Sequence, residues 1–154
     1  MLTQSEADAL IDMEKRVSDP GASITFPFPG SSTTIPVESQ AGREPFLLDI
    51  ECGNIIKKWK LQLRYRRTYI LVRIDIGGFG RHRNPPKAPN RALHPYEGEV
   101  ILTPHLQRYV EGYDDAWALP LPSSFSNPDE QSITWREFLI YCNIQDAPAL
   151  QVSF

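Results

Sequence analysis

The sequence predicts an α+β fold, in which an antiparallel sheet of four to six strands is packed on one face by an N-terminal and a C-terminal helix. Three neighbouring segments in the middle of the chain alternate apolar and polar residues with a period of two, the pattern of half-buried strands. Two segments near the chain ends instead space their apolar residues as an amphipathic helix does. A length of 154 residues is typical of one domain, so residues 1–154 are expected to form a single domain.

Both predicted helices begin with a capping box, in which a threonine and a glutamate three residues later satisfy backbone N–H groups at the helix start. The N-terminal helix is predicted over residues 4–17, because apolar residues recur at helical spacing up to Val17. The C-terminal helix is predicted over residues 134–143 for the same reason. The two boxes pair Thr3 with Glu6 and Thr134 with Glu137.

The three alternating segments cover residues 46–52, 58–65 and 68–76. Short links join them, a Gly53-Asn54 turn and an Arg66-Arg67-Thr68 hairpin, which predicts an antiparallel meander with one apolar and one basic face. A further strand is predicted around residues 104–111. Residues 19–44 alternate turn residues with short β-branched pieces, and we expect an irregular stretch with one edge strand, because proline cannot donate a ladder hydrogen bond.

The net charge of −3 conceals a strong separation of charge along the chain. Residues 1–51 carry a balance of −6, residues 52–91 a balance of +10 and residues 92–154 a balance of −7. A separation of this size predicts a local field whatever the global sum. It indicates either a surface for a polyanion or an acidic partner protein, or a basic centre that the acidic flanks neutralise internally, for example through Asp49 and Glu51.

The segment from Gly77 to about residue 98 lacks periodicity and is too long for an idle connector, so we expect it to be functional or disordered. The three histidines, His82, His94 and His105, lie in this loop or in the strand after it. Their spacing matches no compact ligand motif, so no metal site and no cofactor is predicted. A nucleotide-phosphate loop and a serine nucleophile elbow are absent from the sequence, which argues against those enzyme classes.

The catalytic candidates are His82, His105, Arg73 and Asp75. Arg73 and Asp75 are two residues apart on one strand and therefore share its polar face near its C-terminal end. The permissive backbone of Gly77-Gly78 would let the His82 loop fold back over that end. Cleavage of a phosphodiester by the 2′-hydroxyl of RNA needs a base, an acid and cations, and these side chains could supply them. Structural hydrogen bonding of the histidines, or a plain Arg73–Asp75 pair, remains the alternative.

Basic and aromatic residues around this strand are candidates for contacting nucleic acid. The cations would hold phosphates and the aromatic rings would stack on bases, although aromatic residues at strand ends also serve in packing. The candidates are Lys58, Lys60, Arg64, Arg66, Arg67, Arg81, Arg83, Tyr109, Tyr113 and Trp117.

The cysteines Cys52 and Cys142 lie in apolar surroundings with no metal-binding spacing, which indicates buried free thiols in a reducing compartment. The acidic, amphipathic N-terminal segment differs from a signal peptide, and no run of about 18 apolar residues is present. We therefore expect a cytoplasmic protein without a membrane partner.

Several motifs resemble a family of small bacterial proteins of uncharacterised function, and the likeness spans most of the chain. The family pattern implies a strand ending in Arg-x-Asp, a loop with His-x-Asn-Pro, and a strand with Pro-His-x-His before a tyrosine and a tryptophan. The residues at those positions are Arg73, Asp75, His82, Asn84, Pro85, Pro104, His105, Tyr109, Tyr113 and Trp117. Gln107 stands where the pattern has its second histidine, which weakens any mechanism that relies on paired histidines on one strand. The layout is also similar to small toxins of toxin–antitoxin modules and to proteins of mobile elements.

Three functional hypotheses follow from these observations. The first is a nucleic-acid-directed module of toxin–antitoxin or mobile-element type, acting on RNA as a metal-independent ribonuclease. The second is a non-catalytic protein-binding module, such as an antitoxin, a phage-encoded inhibitor or an adaptor, that grips an acidic partner through its basic face. The third is a basic face covered by the protein's own acidic flanks.

Overall fold

The computed structural model describes residues 1–55 and 57–152, and in this part the chain forms two α-helices and twelve strands. In chain order they are α1 (Gln4–Asp12), β1 (Lys15–Val17), β2 (Ile24–Thr25), β3 (Ser32–Ser39), β4 (Pro45–Cys52), β5 (Trp59–Tyr65), β6 (Tyr69–Ile76), β7 (Arg81–Arg83), β8 (Val100–Leu102), β9 (His105–Arg108), β10 (Ala118–Pro120), α2 (Gln131–Tyr141), β11 (Ile144–Gln145) and β12 (Leu150–Gln151).

The main sheet has eight strands in the order β10-β9-β6-β5-β4-β3-β1-β11, rather than the four to six predicted. All neighbours are antiparallel except β1 and β11, which pair in parallel. The predicted meander is β4, β5 and β6 at the middle of this sheet. The mixed α and β composition and the mostly antiparallel sheet are therefore confirmed, and the strand count is corrected.

The first helix ends at Asp12 and not at residue 17, because the backbone at Met13 is extended (φ −65°, ψ 148°). Residues after Met13 turn back as β1, and Val17 meets the core from a strand instead of from a helix. Val17 lies seven positions after Leu10, which fits a helix, and two positions after the buried Lys15, which fits a strand, so the apolar spacing alone cannot separate the two elements. Thr3 caps the helix as predicted, since its Oγ1 accepts the N–H of Glu6 at 3.1 Å.

The stretch predicted as irregular contains β3, which is eight residues long and lies inside the sheet between β1 and β4. Pro36 is tolerated there because its carbonyl accepts from Ser18 N, on the side of β1 and just beyond the end of that strand at Val17. In an antiparallel sheet, the N–H and C=O groups of one residue point toward the same neighbouring strand. The N–H that Pro36 lacks would therefore point toward residues beyond the end of β1, where the β1–β3 ladder has already ended.

A β-bulge interrupts the alternation of β6. Leu63 is opposite Val72, whereas Arg64 is opposite Ile70, so Leu71 is the extra residue. Strict alternation predicted Ile70 on the apolar face and Tyr69 on the polar face. The bulge reverses both, and Tyr69 packs against the core cluster.

Both helices contribute apolar side chains to one core cluster with the inner face of the sheet. Ala7, Leu10 and Ile11 come from α1, which contacts β6, while α2 lies against the short strands β11 and β12. The placement of α2 thus differs in detail from the predicted packing on the sheet. Its start differs too: α2 begins at Gln131, three residues before Thr134, so the second capping box is wrong. The hydroxyl of Thr134 instead donates to Asn127 O at 3.2 Å.

The segment after β6 forms an ordered lobe. Strands β7 and β8 pair as an antiparallel hairpin, and a short 3-10 turn at His94–Tyr96 lies between them. Asn84 fixes the lobe to the sheet edge, because its side chain exchanges two 2.8 Å hydrogen bonds with the backbone of Ala118. A small second apolar cluster of Leu93, Val110 and Trp117 fills the lobe.

Both cysteines are buried free thiols, as predicted. Burial raises the pKa of Cys142 to about 12, so this thiol is unreactive in the folded chain. Neither helix in the described part of the chain has the length and apolarity that crossing a bilayer requires.

Candidate functional site

The polar face of the sheet carries two rows of side chains that run across its central strands. In one row, Asp49, Gln62, Arg73 and Gln107 lie opposite one another on β4, β5, β6 and β9. In the other row, Glu51, Lys60, Asp75 and His105 do the same. The row with His105 leads into the lobe formed by β7 and β8.

Two acids on β4 form ion pairs with the two bases of β5. Asp49 accepts from Arg64 Nη2 at 2.8 Å, from Gln62 Nε2 at 2.8 Å and from Thr34 Oγ1 at 2.7 Å. Burial of Asp49 acts to raise its pKa, but the hydrogen bonds from these partners outweigh burial, and its pKa is lowered. Lys60 Nζ lies 2.9 Å from Glu51 Oε2. The predicted basic face is thus partly covered by the acids of β4, and Arg64 is held in a network and not open to a ligand.

A cleft of about 420 Å³ opens between the sheet and the lobe. The four catalytic candidates, His82, His105, Arg73 and Asp75, all line it. The structure therefore brings together side chains from β6, β7 and β9 that are up to 32 positions apart in the chain.

Asp75 lines the cleft and binds two neighbouring side chains. Its two carboxylate oxygens accept from Nε and Nη2 of Arg73, both at 2.9 Å, and Oδ2 is 3.1 Å from Nε2 of His105. Burial acts to raise the pKa of Asp75, and the hydrogen bonds from His105 and Arg73 outweigh it and lower the pKa to about 2. The remaining guanidinium nitrogen of Arg73, Nη1, is 3.7 Å from Asp115 Oδ2. Arg73 is consequently compensated by two carboxylates.

The two histidines of the cleft differ in what their ring nitrogens can do. Nε2 of His105 is occupied by Asp75, and its Nδ1 is buried without a hydrogen-bond partner. Nε2 of His82 lies 2.6 Å from the carbonyl oxygen of Ala116. A carbonyl only accepts, so this nitrogen carries a proton, and in a neutral imidazole the lone pair is then on Nδ1 of His82. The ring centroids are 6.2 Å apart, and of the two rings only His82 is partly exposed.

Two exposed cations complete the cleft. Lys58 and Arg81 line it and form no ion pair with any described residue. Lys60 also lines it but is paired with Glu51. Lys58 and Arg81 are therefore the cations of the cleft that could bind an anionic ligand without first breaking an ion pair to a described residue.

The other basic candidates lie elsewhere. Arg66 and Arg67 belong to the three-residue turn, with Thr68, at the opposite end of the β5–β6 hairpin, and have φ values of 51° and 66°. The length of the paired strands separates that turn from the cleft, so Arg66 and Arg67 do not belong to it. Arg83 donates to Gly98 O at 3.0 Å within the lobe.

The aromatic candidates are mostly unavailable for stacking on bases. Tyr109 and Trp117 are each 1% exposed, and Tyr109 donates its hydroxyl to Leu2 O at 2.7 Å. Tyr113 packs edge-on against Trp117, with ring centroids 6.1 Å apart. Tyr109 and Trp117 are packing residues, because their rings anchor the N-terminus and fill the lobe.

The sequence analysis missed the role of the segment 114–116 beside the cleft. The side-chain amide of Gln107 donates to Asp115 O at 2.6 Å, and Ala116 O contacts His82. Gln107 thus holds the segment that orients His82. A signal for this was the polar residue at position 107 on the same strand face as His105. Across residues 1–55 and 57–152, no three His, Cys, Asp or Glu side chains cluster as metal ligands would.

The fold and the site together define a small α+β protein with an open, cationic cleft, built from a His–Asp–Arg chain of hydrogen bonds on the polar face of an antiparallel sheet. The chain belongs to a family of unknown function, DUF6978, whose model matches residues 2–144. Comparisons with curated proteins and with solved structures give no match.

Proposed function

We propose that this protein is directed at RNA, and that its cleft binds a phosphodiester and promotes its cleavage by the neighbouring 2′-hydroxyl without a metal, in the manner of a toxin or mobile-element ribonuclease. One observation carries the proposal: a partly exposed histidine and two exposed cations line the same cleft as the network of hydrogen bonds around Asp75. Proton transfer next to unpaired positive charge is what this reaction needs.

Each group has a distinct role in this proposal. Nδ1 of His82 takes the proton of the 2′-hydroxyl, whose oxygen attacks phosphorus. The bond to the 5′ oxygen breaks, and that oxygen takes a proton from water, leaving a 2′,3′-cyclic phosphate and a 5′-hydroxyl. Lys58 and Arg81 would stabilise the negative charge on the phosphate oxygens.

His105, Asp75 and Arg73 are positioning residues in this proposal. Neither ring nitrogen of His105 is open to a ligand, and Arg73 is held by Asp75 and Asp115. Their hydrogen bonds maintain the wall of the cleft opposite His82. This modifies the sequence-based hypothesis, in which His105 shared proton transfer with His82 and Arg73 held phosphate.

Neither ring nitrogen of His105 is accessible to a ligand, and this favours a second candidate function. A cleft with one available histidine lacks an acid–base pair, which is the arrangement expected of a module that binds an acidic partner protein without catalysis. Cleavage of RNA separates this candidate from the first.

Binding is tested with a fluorescein-labelled, ten-nucleotide single-stranded RNA, whose affinity is measured by anisotropy between 25 and 200 mM salt. We expect Lys58→Ala and Arg81→Ala each to weaken binding and to reduce the log–log salt slope by about 0.7, the contribution of one phosphate contact. Arg136→Ala is the matched control, since Arg136 is an exposed cation on α2 away from the cleft. No binding at low salt would remove RNA as the ligand, and equal losses in all three variants would mean that RNA does not bind specifically in the cleft.

Cleavage is tested by incubating the same RNA with the wild type and with His82→Ala in EDTA, and by assaying growth on expression in bacteria. We expect the wild type to form a cyclic phosphate product and to inhibit growth, and His82→Ala to lose both while keeping RNA affinity. RNA binding without any cleavage by the wild type would remove the catalytic role of His82 and leave the cleft as a non-catalytic binding site for RNA.

A further inference from the structure

Half of the large apolar side chains that are exposed in the described part of the chain lie on segments that also supply lining residues of the cleft. There are six: Met1, Phe28, Ile55, Phe79, Leu102 and Ile140. Ile55 lies in the loop between the lining residues Gly53 and Lys58, Phe79 lies between Gly77 and Gly80, and Leu102 precedes Thr103. Single exposed apolar residues need no explanation, but three on the segments that frame one cationic cleft indicate a ligand with apolar faces.

The backbone fixes the turn that carries Phe79, whose flanking residues Gly77 and Gly80 line the cleft. Gly77 and Gly78 adopt φ values of 74° and 69°, which residues with side chains rarely adopt. A Cβ atom on Gly77 would collide with the carbonyl oxygen of Lys57, and one on Gly80 would lie 2.8 Å from Cγ2 of Thr103. The turn is therefore wedged between the β4–β5 loop and the strand that leads to His105, and the ring of Phe79 between these glycines is fully exposed.

The geometry points to unpaired, single-stranded RNA as the ligand of the cleft, with a base stacked on the ring of Phe79; this inference rests on the proposed function. A single strand presents phosphates to Lys58 and Arg81 and an open base face to the neighbouring aromatic ring. A duplex presents the phosphates but hides its base faces in the stack. Phe79 takes the role that the sequence assigned to Tyr109 and Trp117, whose rings are buried.

The test compares the wild type, Phe79→Ala and Phe79→Trp on a ten-nucleotide single strand and on the duplex of the same sequence. We expect Phe79→Ala to weaken single-strand binding roughly tenfold, the usual effect of losing one stacked base, and to leave duplex binding unchanged. Phe79→Trp should restore the affinity. Because Trp59, Trp117 and Trp135 are buried, RNA should quench mainly the fluorescence of the exposed indole that this substitution introduces, which would report the contact itself. Ile140→Ala is the matched control, since it removes an exposed apolar side chain from α2.

The outcomes separate this inference from the proposed function. Failure of the wild type to bind either RNA would overturn both. Equal binding of single strand and duplex, both weakened by Arg81→Ala and neither by Phe79→Ala, would overturn the stacking and leave an RNA-binding cleft. A third outcome is that the wild type binds vesicles that contain an anionic phospholipid, and that Phe79→Ala loses this binding while its RNA binding is unaffected. Phe79 would then contact a lipid surface, and the inference would be overturned.

Discussion

Asp75 is the residue on which the geometry of the cleft depends most, because one carboxylate holds two side chains. It binds Arg73 through both oxygens and His105 through one. Arg73 comes from the same strand and His105 from the neighbouring one, so the interaction ties β6 to β9. The depressed pKa of Asp75 means that its ionised form is part of the folded structure at neutral pH.

Replacing Asp75 by Asn should lower the free energy of unfolding at pH 7 by about 2 kcal/mol. The folded pKa of about 2 lies below the ordinary value of 3.8, so the contribution is complete above about pH 4 and is lost as the pH falls through 2. Urea titrations of both proteins at pH 7, 4 and 2.5 measure the difference. Asp129→Asn, at an exposed site, is the control. A difference between wild type and Asp75→Asn that is the same at all three pH values would rule out ionisation of Asp75 as its source.

At the scale of elements, the C-terminal ends of the two helices meet at the buried ammonium group of Lys15. Nζ donates to Ile11 O at 2.7 Å, to Met13 O at 2.9 Å and to Cys142 O at 2.8 Å, so all three of its protons are used. Helix C-termini carry partial negative charge, which favours a cation there. Burial lowers the pKa of Lys15 to about 8, so the ammonium form still dominates at neutral pH.

Lys15→Met should destabilise the protein by about 3 kcal/mol, because three buried carbonyls lose their donor. Arg16→Met is the matched control, since Arg16 is an exposed neighbour whose pairing with Glu38 is long, at 3.6 Å, and it should change the free energy of unfolding by less than about 0.5 kcal/mol. Urea unfolding followed by circular dichroism gives both values. Equal stabilities of the two variants would mean that Lys15 does not join the helices.

The length of an element decides whether its sequence predicts it. The strands β4, β5 and β6 were predictable because alternation over seven or eight residues buries one face of each. Strands of two or three residues, such as β1 and β11, carry too little pattern, and their parallel pairing joins residues 15 and 144. Proline suggested an edge for β3, and only its neighbours in space show why the interior tolerates it.

The candidate site was predictable where strand geometry determines it. Arg73 and Asp75 share a face because they are two residues apart, and the glycines after them permit the turn that brings His82 back. The residue types alone could not show that Asp75 would occupy Nε2 of His105, or that the rings of Tyr109 and Trp117 would be buried. Those facts depend on which long-range partners cover each ring.

At the scale of the whole molecule, the charge separation of the sequence becomes a partial neutralisation across the sheet. Asp49 and Glu51 on β4 face Arg64 and Lys60 on β5. The internal neutralisation considered for the basic centre therefore accounts for the middle of the hairpin. Other basic side chains lie at the two ends of this hairpin and form no ion pair with a described residue. Lys58 is one of them at one end, and Arg67 is one at the other.

If residues 1–154 form a single domain, the lobe should unfold together with the sheet. Trp117 lies in the lobe cluster, whereas Trp59 and Trp135 lie in the main core. We expect urea unfolding curves from circular dichroism and from tryptophan fluorescence to coincide. A Trp117→Phe variant serves as the control that identifies the lobe signal. An earlier fluorescence transition present only when Trp117 is retained would mean that the lobe unfolds on its own.

The short outer strands of the eight-stranded sheet bear on how the protein avoids self-association. One edge is β10, with three residues ending in Pro120, and the other is β11, with two residues. An incoming strand of another chain would find few open backbone groups there, and Pro120 lacks an N–H donor. Of the long strands, β4, β5 and β6 each have a neighbouring strand on both sides, whereas β1 pairs with only Val37 to Ser39 of β3. Self-association at high protein concentration should therefore involve other surfaces, such as the exposed side chains of Ile55, Phe79 and Leu102, rather than pairing at β10 or β11.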